Sequence, residues 1–383
     1  MLPAVLCLFA CNKGGNKTVE QPVDTDEPVA LVLGTNMRSV QLTKGVGALE
    51  SWSGKEDLYI YGIERTADGL VFDAPFVDNV KAASPESSSS GAIKLWNPAI
   101  TDPADPTYKE PFYYGENNKY DFFGYYVDNA AQFNQGKPVV EVNEDGISVD
   151  ITINGTQDIL AGRAHKDLDI LADATSKVTV DKAYSAFAAR RKVQPNIVFK
   201  HKLSRFIFKI KSGTEDVATK VSLAGLSVES KTSGKMIIAA EGAADEEDII
   251  DPATPAFLPL YITSASGLVL LTPENAIHAP AVGVDYELPG SIMVMPGDAV
   301  YNLKLTLVQT GATLEDGIPR DYPINFENIT GGTQNHFAEP GYQYVITVVV
   351  YGLERVDVNV TLEQWQEGGS TVIDPDVIED EQD

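Results

Sequence analysis

The strongest restriction on this chain is a hydrophobic period of two residues that returns in short runs along most of its length. Tyr301, Leu303, Leu305 and Leu307 point one way and Asn302, Lys304 and Thr306 the other, the pattern of a strand wet on one face. Val356, Val358, Val360 and Leu362 alternate likewise against Asp357, Asn359 and Thr361. Gly352-Leu353-Glu354-Arg355 joins that run to 342–351, which predicts a terminal hairpin. In the first half the same reading predicts strands over 29–33, 58–63, 120–126, 147–153, 197–211 and 220–228. Within 197–211, Phe206, Phe208 and Ile210 share one face while Lys209 and Lys211 take the other. Helical spacing is confined to a short segment at 181–189, so an all-β fold follows.

At 383 residues the chain exceeds what one sandwich core holds, and two tandem domains are expected. The stretch 241–255 (EGAADEEDIIDPATP) is acidic and carries two prolines, which suits an exposed connection; we therefore read a first domain over 29–230 and a second over 231–367. Arg190-Arg191-Lys192, just ahead of the strand at 197, marks a competing boundary. Residues 82–118, rich in Ser, Pro, Asp and Gly, read as one long loop interrupting the first sheet. Residues 368–383 form an acidic tail.

Charge and ligand chemistry narrow the function. With 29 Lys+Arg against 55 Asp+Glu, the net charge of -26 repels a phosphate backbone, so nucleic acid is not an expected partner. The two cysteines, Cys7 and Cys11, both sit at the start, leaving the body without a disulfide or thiolate metal site. His165, His201, His278 and His336 are scattered without metal-ligand spacing, and no metal or cofactor is expected. Carboxylates at 245–248 crowd one loop, whereas a glycosidase pair is held apart on ordered strands; the serines at 87–90 lack a Gly-x-Ser-x-Gly frame. The expectation is a non-enzyme.

The first ten residues, MLPAVLCLFA, are apolar but far too few to span a bilayer, and the chain then turns abruptly polar. Leu8-Phe9-Ala10-Cys11 resembles a lipobox, in which the cysteine is lipidated and becomes the mature N-terminus. Residues 1–11 are thus read as a lipoprotein signal segment ending at Cys11, anchored to the outer membrane through its lipid. Residues 12–28 (NKGGNKTVEQPVDTDEP), with almost nothing to bury, are read as a flexible tether.

Several segments, in order, resemble the fimbrillin family of type V pilus subunits. They are Leu49-Glu50-Ser51-Trp52, Asp57-Leu58-Tyr59-Ile60-Tyr61-Gly62, Tyr120-Asp121-Phe122-Phe123-Gly124-Tyr125-Tyr126 and Gly155-Thr156-Gln157-Asp158-Ile159-Leu160. Val198-Phe199-Lys200-His201-Lys202-Leu203-Ser204-Arg205 and Glu339-Pro340-Gly341-Tyr342 follow, ending near Trp365. The resemblance implies two tandem transthyretin-like β-sandwich domains, lipoprotein export to the cell surface, and partnership with other fimbrillin subunits. It also implies protease processing at an arginine near the first strand, a place that Arg38 fits, with Lys44 an alternative. Removal of the strand Val29, Ala30, Leu31, Val32 and Leu33 would open a groove for a neighbour's strand. Stalk, tip and accessory positions stay open, because Asp374-Pro375-Asp376 breaks the apolar pairs of the tail that a donor strand needs.

A different class also fits: a surface lipoprotein that binds glycans without polymerising. Trp52 and Trp365 fall in or beside strand patterns and read as core, whereas Trp96 sits in the long loop and is the candidate ligand contact, for host or bacterial surface ligands.

Overall fold

A computed structural model describes residues 27–37, 49, 51–86, 90–95, 102, 104, 109–128, 133–134, 137–172, 177–241, 249–265, 267–310, 317–326 and 336–363. The near-continuous apolar runs at Asp57–Thr66 and Tyr120–Val127 pair with each other at the middle of an eight-stranded sheet. A strand covered on one side only would alternate; these do not, because both of their faces are buried. Leu58 and Ile60 enter one core and Tyr59, Tyr61 and Ile63 enter another. From this pair the sheet continues through Ile159–Ala164, Asn196–His201 and Leu33–Met37 to Ser90–Ile93 at its edge. On the other side Gly69–Val71 and Val77–Ala83 both pair with Asp57–Thr66, and a bridge from Ala83 to Lys94 curls the sheet back towards closure.

Two further layers hold the second half. A seven-stranded sheet runs Ile318–Asn325, Val300–Gln309, Val221–Ala240, Gly146–Thr152, Val140–Asn143, with Ile249–Pro259 and Ile277–His278 also on the long Val221–Ala240 strand. A four-stranded sheet runs Tyr286–Val294, Ser204–Ser212, Gln343–Val350, Val356–Glu363. Here the alternation has its ordinary meaning: Tyr301, Leu303, Leu305 and Leu307 are buried while Asn302 is exposed. The larger core gathers Phe206, Tyr301, Phe326 and Tyr344 between these layers and reaches one face of the first sheet. The smaller core lies on that sheet's other face, under Trp52, Tyr114 and Tyr184. The chain is all-β, built as tandem β-sandwiches.

Several details differ from the sequence reading. The segment 197–211 is two strands in different sheets, and the chain changes layers over Lys202-Leu203, where no Gly or Pro marks the step. Residue 230, expected as a domain boundary, lies inside the twenty-residue strand Val221–Ala240. Its Ser and Thr residues look like loop chemistry, yet Ser230 and Thr232 are buried and bonded: the Ser230 hydroxyl accepts the Met295 N–H at 3.0 Å and the Thr232 hydroxyl donates to the Thr254 carbonyl at 2.6 Å. The expected helix at 181–189 is a 3-10 turn, Val180–Lys182, followed by one α-helical turn, Ala186–Ala189, and an unforeseen helix spans Lys166–Ala172. The loop expected over 82–118 contains the Ser90–Ile93 strand. The acidic tail, 368–383, and the tether up to residue 26 lie outside the described residues.

Candidate functional site

The opening strand is inside the first sheet rather than along its rim. Leu33–Met37 runs antiparallel to Ser90–Ile93, with Leu33 opposite Ile93, and parallel to Asn196–His201, with Met37 opposite Phe199. The regular ladder therefore begins at Leu33, where the predicted strand Val29, Ala30, Leu31, Val32 and Leu33 was to end. The upstream part is held by separate contacts. Leu31 N–H donates to the Phe112 carbonyl at 2.7 Å, Tyr114 N–H donates to the Val29 carbonyl at 3.0 Å, and Ala30 bridges Tyr113. Gly34-Thr35-Asn36 has turn composition, but two flanking strands hold it extended.

Beneath the strand lies an apolar bed. Leu31, Leu33 and Met37 are buried in the smaller core with Trp52, Tyr126, Leu160, Ile197 and Phe199. Trp52 sets its ring edge-on to Phe199, centroids 5.3 Å apart, and to Tyr126 at 6.3 Å, geometries that aromatic quadrupoles favour. The strand itself fits this setting imperfectly. Thr35 is fully buried and Asn36 nearly so, yet Thr35 Oγ1 and Asn36 Oδ1 have no hydrogen-bond partner. Each such group costs about 1–3 kcal/mol of desolvation that nothing offsets.

The neighbouring strand is fixed at its start by a half-buried acid. Asp169 accepts the hydroxyl proton of Tyr184 and the N–H of Asn196 at 3.0 Å. Burial pushes the Asp169 carboxyl up to about 6, against the lowering effect of those two bonds. The Tyr184 phenol, also buried, stays well above its usual value and so remains a donor.

Downstream of the opening strand a second anchor takes over. Asp158 accepts the Leu49 N–H at 2.7 Å and the Ile159 N–H at 2.8 Å, and its Oδ2 lies 2.8 Å from Nδ1 of His201, both side chains buried. Glu56 accepts the Ser53 N–H at 2.8 Å and the hydroxyls of Ser53 and Ser84 at 2.6 and 2.5 Å. Burial alone would raise the Glu56 carboxyl; those bonds outweigh it and hold the group below its ordinary value. The opening strand and the Leu49–Glu56 anchor thus bracket the position of Arg38.

Arg38, Cys11, Trp96 and Trp365 lie outside the described residues, while Trp52 is core, as its strand context suggested. Sequence reasoning passed over Thr35, Asn36, Glu56 and the Asp158–His201 pair. The pair was visible only as two separate segments, because strand register, with Leu160 opposite His201, brings them together.

Residues 48–365 match a protein family described as fimbrillin-like. No curated protein matches the chain. Among solved structures it is similar to a Bacteroides uniformis protein assigned to cell adhesion, with 16% identity and a TM-score of 0.45 over 88% of this chain and 99% of that one. A fimbrial protein from Bacteroides vulgatus gives 13% identity and a TM-score of 0.42, again over 88% and 99%. The C-terminally truncated tip fimbrial protein Mfa3 from Porphyromonas gingivalis gives 11% and 0.37, with the same two coverages.

Proposed function

The chain belongs to the fimbrillin-like family, and from that premise we propose that it is a non-catalytic structural and adhesive subunit of a bacterial surface fimbria, joined to other fimbrillin subunits by exchange of its opening strand. The observation that carries this reading is the seat of Leu33–Met37: an internal place in a sheet, paired on both sides and lying over buried aromatic rings. Withdrawing that strand leaves facing rows of unpaired backbone groups on Ser90–Ile93 and Asn196–His201 above an apolar trough. Such a slot is satisfied by a strand from another molecule, with main-chain bonds for affinity and side chains for register. Because donor and acceptor sites differ, the contact is head-to-tail and builds a filament. The unpartnered Thr35 and Asn36 make the resident strand a poorer occupant than an apolar replacement.

In this scheme Cys11 carries the lipid that holds the precursor at the outer membrane, and cleavage after Arg38 separates the lipidated tether and opening strand from the body. The Leu49–Glu56 anchor then retains the new N-terminal segment. The test is trimming of the purified chain with an arginine-specific protease. We expect SDS-resistant ladders from the wild type and none from Arg38→Gln. Unchanged monomer after complete trimming overturns the proposal.

A further inference from the structure

Away from the strand slot, the first sheet ends in a cleft of about 920 Å³, framed by the ends of Asp57–Thr66, Tyr120–Val127 and Ile159–Ala164 and by Glu241 from the second half. That volume lies within the usual range of small-ligand sites, roughly 300–1,000 Å³. Its lining contains a network of paired charges. Asp121 accepts from Arg65 Nε at 2.7 Å and also pairs with Lys166. Arg65 reaches on to Glu241 at 3.3 Å, whose second oxygen accepts the Leu70 N–H at 2.8 Å. Asn118 donates to Glu64 at 2.8 Å. The walls carry short apolar groups, among them Ala67, Leu70, Ala164 and Val180, the last exposed to 55%.

The chemistry of this lining selects a ligand class. A polyanion meets a chain of net charge -26 and cations that already have carboxylate partners. A metal finds no cluster of three His, Cys, Asp or Glu ligands among the described residues. The pairing cancels the charges but does not use up the hydrogen-bonding capacity: a guanidinium has five N–H donors, an ammonium three and a carboxylate about four acceptor sites. Arg65, Lys166 and Asn118 therefore keep oriented donors beside acceptors on Asp121, Glu64 and Glu241. A pair of neighbouring hydroxyls, each both donor and acceptor, matches that alternation. The short aliphatic walls suit the C–H faces of a pyranose ring. We propose that this cleft binds a neutral saccharide, giving the subunit a carbohydrate contact separate from its assembly slot.

The experiment applies the full chain to a glycan array printed with neutral gluco-, manno- and galacto-oligosaccharides, with sialylated and sulfated glycans alongside. The best neutral ligand is then titrated calorimetrically against the wild type, Asn118→Ala and Lys166→Met. We expect neutral glycans to be retained and each substitution to weaken binding about ten-fold, the effect of one lost hydrogen bond. Asn118→Ala should melt with the wild type, since it removes a single bond on a partly exposed loop. Deoxy analogues lacking one hydroxyl should lose comparable affinity, because the lining is left unpaired. Retention of no neutral glycan, retention of anionic glycans alone, or binding that Asn118→Ala leaves intact would each overturn the proposal. None of these outcomes touches the assembly reading, which is measured by ladders.

Discussion

The two ends of the described chain are both β-strands over a hydrophobic core, and they are held in opposite ways. The closing hairpin pairs Gln343–Val350 with Val356–Glu363 along eight consecutive positions, from Gln343 opposite Glu363 to Val350 opposite Val356. Its turn is local: Tyr351 N–H donates to the Arg355 carbonyl at 2.9 Å, and the Arg355 guanidinium lies 4.7 Å from the Tyr351 ring centroid. The opening strand has five residues and takes its partners from far along the chain, at 90–93 and 196–199. It also buries two side-chain oxygens without partners. A strand closed locally is recovered whenever its turn forms, whereas a short strand with distant partners must repay a long loop closure each time it returns. On the proposed strand exchange, that difference is what lets the opening strand leave while the closing hairpin stays in place.

The comparison holds only if the beds beneath the two strands are equally solid, and the largest predicted effect tests this. Trp52→Ala deletes a fully buried ring against Phe199 and Tyr126 and is expected to cost about 3–5 kcal/mol in denaturant unfolding. Ile346→Ala, fully buried on the core face of the closing hairpin itself, is expected to cost ~2–5 kcal/mol. If Trp52→Ala proved far cheaper than Ile346→Ala, the trough under the opening strand would be no real core and the strand slot would lose its basis.

The next effect separates the regions by pH. Asp169, at the head of the strand beside the opening one, has its carboxyl raised from 3.8 to about 6, first by burial. The native state therefore holds this proton more tightly than the unfolded chain does. Its contribution to stability is full below about pH 4 and is lost as pH rises through about 6, a swing of roughly 2–3 kcal/mol by linkage. Asp169→Asn, still able to accept from Tyr184 and Asn196, should flatten the dependence of melting temperature on pH between 4 and 8 and be the more stable form at pH 8. An unaltered slope would show that Asp169 is ionised at no cost and that the seat of the opening strand is not pH-sensitive.

The same contrast explains what was legible in the sequence. The closing hairpin and the Val300–Gln309 strand were readable because each has one wet face, so their burial is written in the alternation. The runs at 57–66 and 120–127 were readable as strands, but not as a layer buried on both sides. The opening strand was displaced by four residues, since nothing local distinguishes Gly34-Thr35-Asn36 from a turn; the strands that straighten it lie at least fifty residues away. The crossing of residue 230 was hidden for a related reason: the bonds that let Ser230 and Thr232 face inward come from Met295 and Thr254. The cleft polar groups come from five separate stretches, and no spacing rule unites Arg65, Asp121, Lys166 and Glu241.

The smallest predicted effect bears most directly on separability. Thr35→Val keeps the shape of a fully buried side chain and removes the hydroxyl that has no partner. The β-branched replacement suits an extended strand, so the resident strand should gain about 1 kcal/mol, read as a rise in denaturant midpoint at unchanged slope. If, as proposed, the trimmed strand leaves before a neighbour's enters, the same substitution should slow ladder formation after arginine-specific cleavage by about five-fold, a 1 kcal/mol change expressed in the departure rate. A stabilised variant that assembled as fast as the wild type would mean that departure of the resident strand does not limit assembly. The buried oxygens of Thr35 and Asn36 would then be a defect of folding alone, and the contrast between the two ends of the chain would lose its functional meaning.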